Sequence, residues 1–176
     1  MSDLEEFRRE KDDFFRTDHH SPLPHELTHH FEGLRYFPEN PDLVVVSELD
    51  PPTETGEVTM ETSTGDSQVY DRAGVLRFDV DGQPAELTLY RRRGDGDDSL
   101  FLPFRDALSG KETYGAGRYL DVASPHRGHV VVDFNYAYNP SCAYNPEFSC
   151  PLPPRENWLQ VPIRAGEKDF PQEEAH

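Results

Sequence analysis

The chain has 176 residues, with 34 Asp and Glu against 17 Lys and Arg, and a formal net charge of −17. Its length fits one domain, and its charge excludes nucleic acid and anionic membrane surfaces as general partners, since both select a basic face. A hydrophobic fraction of 35% with 11% aromatics is too rich for disorder and points to a small, aromatic-packed core under a polar shell.

Ser2 followed by Glu5 forms a capping-box pattern, which opens a helix over residues 3–17 with Leu4, Phe7, Phe14 and Phe15 as its apolar stripe. Ser21-Pro22-Leu23-Pro24 interrupts it, and a short helical turn over residues 25–31 ends at Gly33. From Tyr36 onward the period becomes alternating. Residues 43–49 read as a buried strand, 57–62 and 67–72 as a hairpin, with a turn at Ala73-Gly74. Residues 75–80 and 85–89 form the next hairpin around Asp81-Gly82. An exposed turn spans 94–98, and later strands are expected at 100–104, 118–122, 129–134 and 159–164. Strands joined by short turns make an antiparallel meander, which hides its edges best by closing into a barrel or sandwich. The expected architecture is therefore mainly β. Residues 1–35 form a helical segment packed on the barrel, residues 36–168 a β domain, and residues 169–176 an acidic, frayed tail. The proline-rich, aromatic stretch 135–158 is too long for an idle connection and is expected to cover a core or form a binding wall.

Residues 99–168 are electrically neutral, with seven cations and seven carboxylates, although the whole chain is strongly acidic. The block also holds the single Trp, both Cys, five of eight Tyr and four of five Asn. Such side chains serve each other or a ligand. Arg105, Lys111 and Arg118 near Tyr114 and Tyr119 could clamp a carboxylate or phosphate, or else pair with Asp106, Asp121 or Asp133 and pin the loop. Gly110-Lys111 lacks the upstream glycine of a phosphate loop, and Gly115-x-Gly117 alone is too short for a dinucleotide fingerprint. Cys142 and Cys150 are too few for a disulfide framework or a closed zinc site, and are expected as buried thiols. His25-Glu26-Leu27-Thr28-His29 matches H-E-x-x-H, in which His25 and His29 would hold zinc and Glu26 act as base. Its context is poor, because Pro24 and Gly33 leave barely two turns and no third ligand follows. No cofactor or metal is expected.

The strings Phe104-Arg105-Asp106, Gly110-Lys111-Glu112-Thr113-Tyr114, Gly117-Arg118-Tyr119-Leu120 and Asp133-Phe134-Asn135 resemble a family of bacterial and archaeal proteins. So do Ala137-Tyr138-Asn139-Pro140, Cys142-Ala143-Tyr144, Cys150-Pro151-Leu152-Pro153-Pro154, Glu156-Asn157, Ala165-Gly166-Glu167-Lys168 and, earlier, Gly33-Leu34-x-Tyr36-Phe37-Pro38. The family is the domain of unknown function 1684, and the acidity suggests a haloarchaeal member. Leu108 stands where the family is expected to carry Thr. The resemblance implies no mechanism, substrate or cofactor. It implies only that the polar, aromatic second half is a shared signature.

Two readings of the block compete. In one, a small polar or anionic molecule binds a site built from Arg105, Lys111, Tyr114, Arg118, Asp133, Asn135, Tyr138, Asn139, Tyr144 and Asn157, with no reaction assigned. In the other, the same residues form an internal network in a structural or protein-interaction module. A zinc hydrolase through His25 and His29 is a third.

No stretch approaches the ~18 apolar residues of a membrane span, and residues 1–7 lack the features of a signal peptide. A soluble, cytoplasmic protein is expected. The cations are 14 Arg and only 3 Lys, which with the acid excess points to a salt-rich cytoplasm. Such a surface repels itself in dilute buffer, a cost that salt screens. The thermal midpoint should therefore rise from dilute buffer to molar KCl, and a midpoint indifferent to KCl would mean that self-repulsion costs this fold nothing.

Overall fold

A computed structural model describes residues 2–52, 56–93 and 99–170, except for the side chains of His25, His29 and His30. Helix α1 (Asp3–Thr17) is followed by a 3₁₀ turn (His25–His30) and seven strands: β1 (Val44–Glu48), β2 (Glu57–Glu61), β3 (Ser67–Val80), β4 (Gln83–Arg92), β5 (Leu100–Phe104), β6 (Arg118–Val122) and β7 (His129–Asp133). The meander is present as a five-stranded antiparallel sheet in the order β2-β3-β4-β5-β6, and β1 pairs with β7 in a separate two-stranded sheet. The fold is thus mainly β, with two antiparallel sheets and one helix. None of the helices in the described residues is long and apolar enough to cross a membrane.

The capping box forms as expected: Ser2 Oγ accepts from Glu5 N, and Glu5 reaches back to Ser2 N. The expected stripe does not. Phe7 and Phe14 are exposed, while Leu4 and Phe15 are buried. The docking face runs Leu4, Arg8, Lys11, Phe15, one residue per turn, and its middle is polar. Arg8 donates to Phe37 O and lies over the Tyr36 ring, and Lys11 pairs with buried Glu167. A stripe sought only among apolar residues misses a face that docks through charge.

The turn expected at Ala73-Gly74 is instead a bulge inside one long strand, β3, between Arg72 and Gly74. Because side chains alternate at period two, an extra residue inverts the parity. Tyr70 belongs to one face, and Leu76, Phe78 and Val80 belong to the other. Gly74 sits where β1's continuation passes closest: a Cβ there would lie 3.1 Å from Asp50 O, and Asp50 bridges to Val75.

β5 is buried along its whole length. Leu100, Leu102 and Phe104 join the main core, which also takes Leu87, Leu89, Leu120, Val130 and Val132 from both sheets. Phe101 points the other way, into a second cluster with Met60, Tyr70, Tyr90, Tyr119, Cys142 and Cys150. The stretch expected as strand 159–164 is irregular instead, although Val161 and Ile163 are buried in the core. The run 43–49 is only half buried: Val44 and Val46, with Val131 of β7, lie on the uncovered face of the two-stranded sheet. Asp169 and Phe170 are packed rather than frayed, Asp169 N donating to Glu112 O. The expected turn at 94–98 and the tail beyond 170 lie outside the described residues.

Gly117 enters β6 at φ +105°, and a Cβ there would meet Phe104 O at 2.5 Å and Pro153 Cγ at 2.9 Å. Gly117→Ala should therefore cost well over ~1 kcal/mol. The measurement is the urea midpoint at unchanged slope, and a loss of only a few tenths would mean that the turn relaxes freely.

Candidate functional site

Six of the ten residues proposed from sequence are committed inside the molecule. Arg118 is 1% exposed and lies over the Phe104 ring. Its guanidinium donates to the carbonyls of Ile163, Ala165 and Glu167 and pairs with Asp106, whose Oδ2 also accepts from Ile163 N at 2.7 Å. Burial pulls the pKa of Arg118 down, with Asp106 opposing. The chain bends at Gly166, which has φ +80°, and one planar fork serves the carbonyls of residues 163, 165 and 167 together.

Asn157, fully buried, accepts from Thr88 N at 2.8 Å and donates to Thr88 O and Pro103 O. β4 and β5 register directly only at Tyr90–Phe101, and this side-chain amide fills the gap where a ladder would otherwise continue. Asn135 does the same for Asn40, accepting from its N and donating to its O, while Asp133 caps the turn Phe134–Tyr136. Asn139 and Tyr144 converge on Glu167 Oε1 at 3.1 Å (through Asn139 N) and 2.7 Å (through the Tyr144 hydroxyl).

Arg105, Lys111, Tyr114 and Tyr138 remain closer to the surface, but they do not meet. The Arg105 guanidinium stacks on half-exposed Trp158. Lys111 borders a cleft of about 330 Å³ with Arg35 and Lys168. The Tyr114 hydroxyl lies 3.5 Å from Cys142 Sγ. Tyr138 donates to Asp121 Oδ2 at 2.6 Å, and burial together with that carboxylate pushes its pKa up.

Tyr138 forms part of the wall of a cavity of about 370 Å³ on the outer face of β3, β4, β5 and β6. Its aromatic lining is Tyr70, Phe101, Tyr119 and Tyr138, with Cys150 and Pro151 from the long loop closing one side. Arg92 stands at the rim, its guanidinium over the Phe101 ring and 3.2 Å from Asp121. Asp121 thus holds both Arg92 and Tyr138 in place. Tyr70, Arg92 and Phe101 escaped the sequence reading, which had placed Tyr119 only beside a cluster of cations. Their signal was present: Phe101 and Tyr119 are large aromatics out of phase with the core-facing Leu100, Leu102 and Leu120, which marks a sheet covered on both faces.

The expected zinc pair His25 and His29 has side chains outside the described residues, but the backbone there is a 3₁₀ turn, which stacks residues three apart rather than four. Among the described residues Asp18, His19 and His20 bring potential ligand atoms within 4.8 Å of one another, on an exposed loop.

Arg118→Met should lower stability by about 3–5 kcal/mol, because it strands three carbonyls and leaves Asp106 buried without a partner. Removing both charges in Arg118→Met/Asp106→Leu should recover part of that loss in urea unfolding. Fully additive losses would mean that the two side chains do not act as a pair.

Residues 29–168 match the family described as protein of unknown function (DUF1684). The chain is also similar to an uncharacterized protein of Haloarcula marismortui, known from a solution NMR structure. The two share 39% identity at a TM-score of 0.72, over 94% of this chain and 91% of that one. No curated protein matches. The chain belongs to the DUF1684 family.

Proposed function

We propose that the protein binds a small molecule with a flat, partly apolar body and a polar, anionic end in the cavity walled by Tyr70, Phe101, Tyr119 and Tyr138. The observation that carries this reading is the lining itself: four aromatic rings around about 370 Å³, with one guanidinium at the rim. Small-molecule sites have this size, and here the aromatic rings share the wall with the polar side chains of Gln68, Ser141 and Ser149. Aromatic faces stack flat bodies, and Arg92 offers a fork to a carboxylate or phosphate. The Arg118 and Asn157 networks act as the frame that holds β5 and β6 in place beneath it. No reaction is assigned.

A second reading concerns the cleft of Arg35, Lys111 and Lys168. The chain has three Lys, two of them border this cleft, and neither has a carboxylate within ion-pair distance among the described residues. Glu112 and Asp169 also line it, so its three cations face two carboxylates, and a compact anion held directly by Lys111 and Lys168 would suit it.

A thermal-shift panel of aromatic carboxylates, aromatic phosphates and inorganic phosphate in molar KCl separates these readings. A ligand at about a hundred times its Kd adds about 2.7 kcal/mol, a clear rise in midpoint. Stabilisation by an aromatic anion is expected in the wild type and in Lys111→Gln, and is expected to vanish in Arg92→Gln and Tyr138→Ala. The opposite pattern of variants moves the site to the lysine cleft. If no compound acts, a protein-interaction role becomes the better reading, with exposed Val46 and Val131, paired across β1 and β7, as the surface to probe.

A further inference from the structure

The long loop brings Cys142 and Cys150 together on the covered face of the five-stranded sheet, and both are free thiols. Cys142 N donates to Cys150 Sγ at 3.3 Å, which sets the two residues against each other. The Tyr114 hydroxyl lies 3.5 Å from Cys142 Sγ. Cys150 is clamped to the turn between β2 and β3: its N donates to Ser63 Oγ, and its carbonyl accepts from Ser63 N. Cys150 also forms part of the wall of the aromatic cavity, with Ser141, the neighbour of Cys142, beside it, so small solutes approach the pair from the Cys150 side. Two inert core thiols would need neither hydrogen-bond donors nor access.

We infer that Cys142 and Cys150 form a peroxide-reactive dithiol site, with Cys142 the attacking sulfur and Cys150 the resolving one. This stands apart from whether the cavity also takes an organic ligand. Polarity assigns the roles. Hydrogen bonds from Cys150 and Tyr114 favour the anion on Cys142 and lower its pKa to about 6, whereas Cys150, donating to that sulfur, is pushed up. The thiolate is the nucleophile in such chemistry.

The Cys142 thiolate attacks one oxygen of a hydroperoxide. The O–O bond breaks, its electron pair leaves with the departing oxygen, which takes up a proton as water or alcohol, and Cys142 becomes a sulfenic acid. The charge that held the proton on Cys150 is then gone. Cys150 loses its proton and attacks Cys142 Sγ, an S–S bond forms, and the sulfenic oxygen leaves as water. Two thiols and one hydroperoxide give one disulfide, one water and one alcohol (a second water when the oxidant is hydrogen peroxide). The neighbouring sulfur makes the second step intramolecular.

The test treats the full chain with hydrogen peroxide and follows free thiol and intact mass. The wild type is expected to lose both thiols and the mass of two hydrogens, reversibly with dithiothreitol, at least about tenfold faster folded than in urea. The folded rate should climb as pH rises through about 6 and then level off, where an ordinary thiol still climbs near ~8.5. Cys150→Ser should stop at a sulfenic acid on Cys142, trapped by dimedone, and Cys142→Ser should be slow. Tyr114→Phe, which leaves both sulfurs in place, should slow the reaction and move its pH midpoint upward. A folded wild type that reacts no faster than the unfolded chain overturns the site. Trapping on Cys150 rather than Cys142 overturns the assignment of roles.

Discussion

Three carbonyl oxygens, from Ile163, Ala165 and Glu167, turn into the interior where no strand lies opposite, and the Arg118 guanidinium bonds all of them. An unmet buried carbonyl costs as much as a lost hydrogen bond. The segment 163–167 could therefore not be drawn into the core without this side chain. Asp106 balances the charge and binds Ile163 N, so each end of the arrangement needs the other. From the same segment Glu167 holds Lys11 of the N-terminal helix, Asn139 N and the Tyr144 hydroxyl. Removing Arg118 would loosen the helix and the long loop together, since both are anchored to the chain it fixes.

Side chains complete backbone pairing at two further places. Pro103 lies inside β5, and Pro151, Pro153 and Pro154 crowd the loop that crosses it; none has an N–H to donate. Asn157 and Asn135 stand in for missing peptide groups, each presenting one acceptor and one donor to a single residue's N–H and C=O. A side-chain amide has the geometry of the backbone it replaces. This accounts for two of the four Asn in the block, while Asn139 donates to Lys168 O and Asn145 accepts from Glu147 N in a turn.

Local chemistry was legible in the sequence, and with it the antiparallel succession of β2 to β6, but not the separate pairing of β1 with β7. The capping box, the Asp81-Gly82 hairpin and the meandering of neighbouring strands could be read because each depends on residues close along the chain. What could not be read depends on parity or on distant partners. The β3 bulge looks like a turn from sequence, since both reverse the alternation. The helix docks through Arg8 and Lys11, whose partners at Phe37 and Glu167 lie far along the chain. For the candidate site, Tyr138 was found, while Tyr70 and Arg92 come from strands outside the block that drew attention. Arg118 was singled out correctly as unusual. A lone sequence could not say whether its donors faced a ligand or the chain's own carbonyls.

The neutrality of residues 99–168 has a different meaning in three dimensions. Its carboxylates do not simply match its own cations: Glu156 pairs with Arg72, Asp121 with Arg92 and Glu167 with Lys11, all from outside the block. Borrowing those cations leaves others in the block without a carboxylate among the described residues. Arg105 and Arg155 lie over the Trp158 ring, and Lys168 lies over Phe37. On a chain of net −17, such cations set local field where the global field is repulsive, and that local field decides which face an anion can approach. Screening by salt weakens the long-range repulsion more than these short contacts. Salt that relieves the surface would therefore also ease the approach of anionic solutes to the cavity and the cleft, linking the chain's acidity to the accessibility of both.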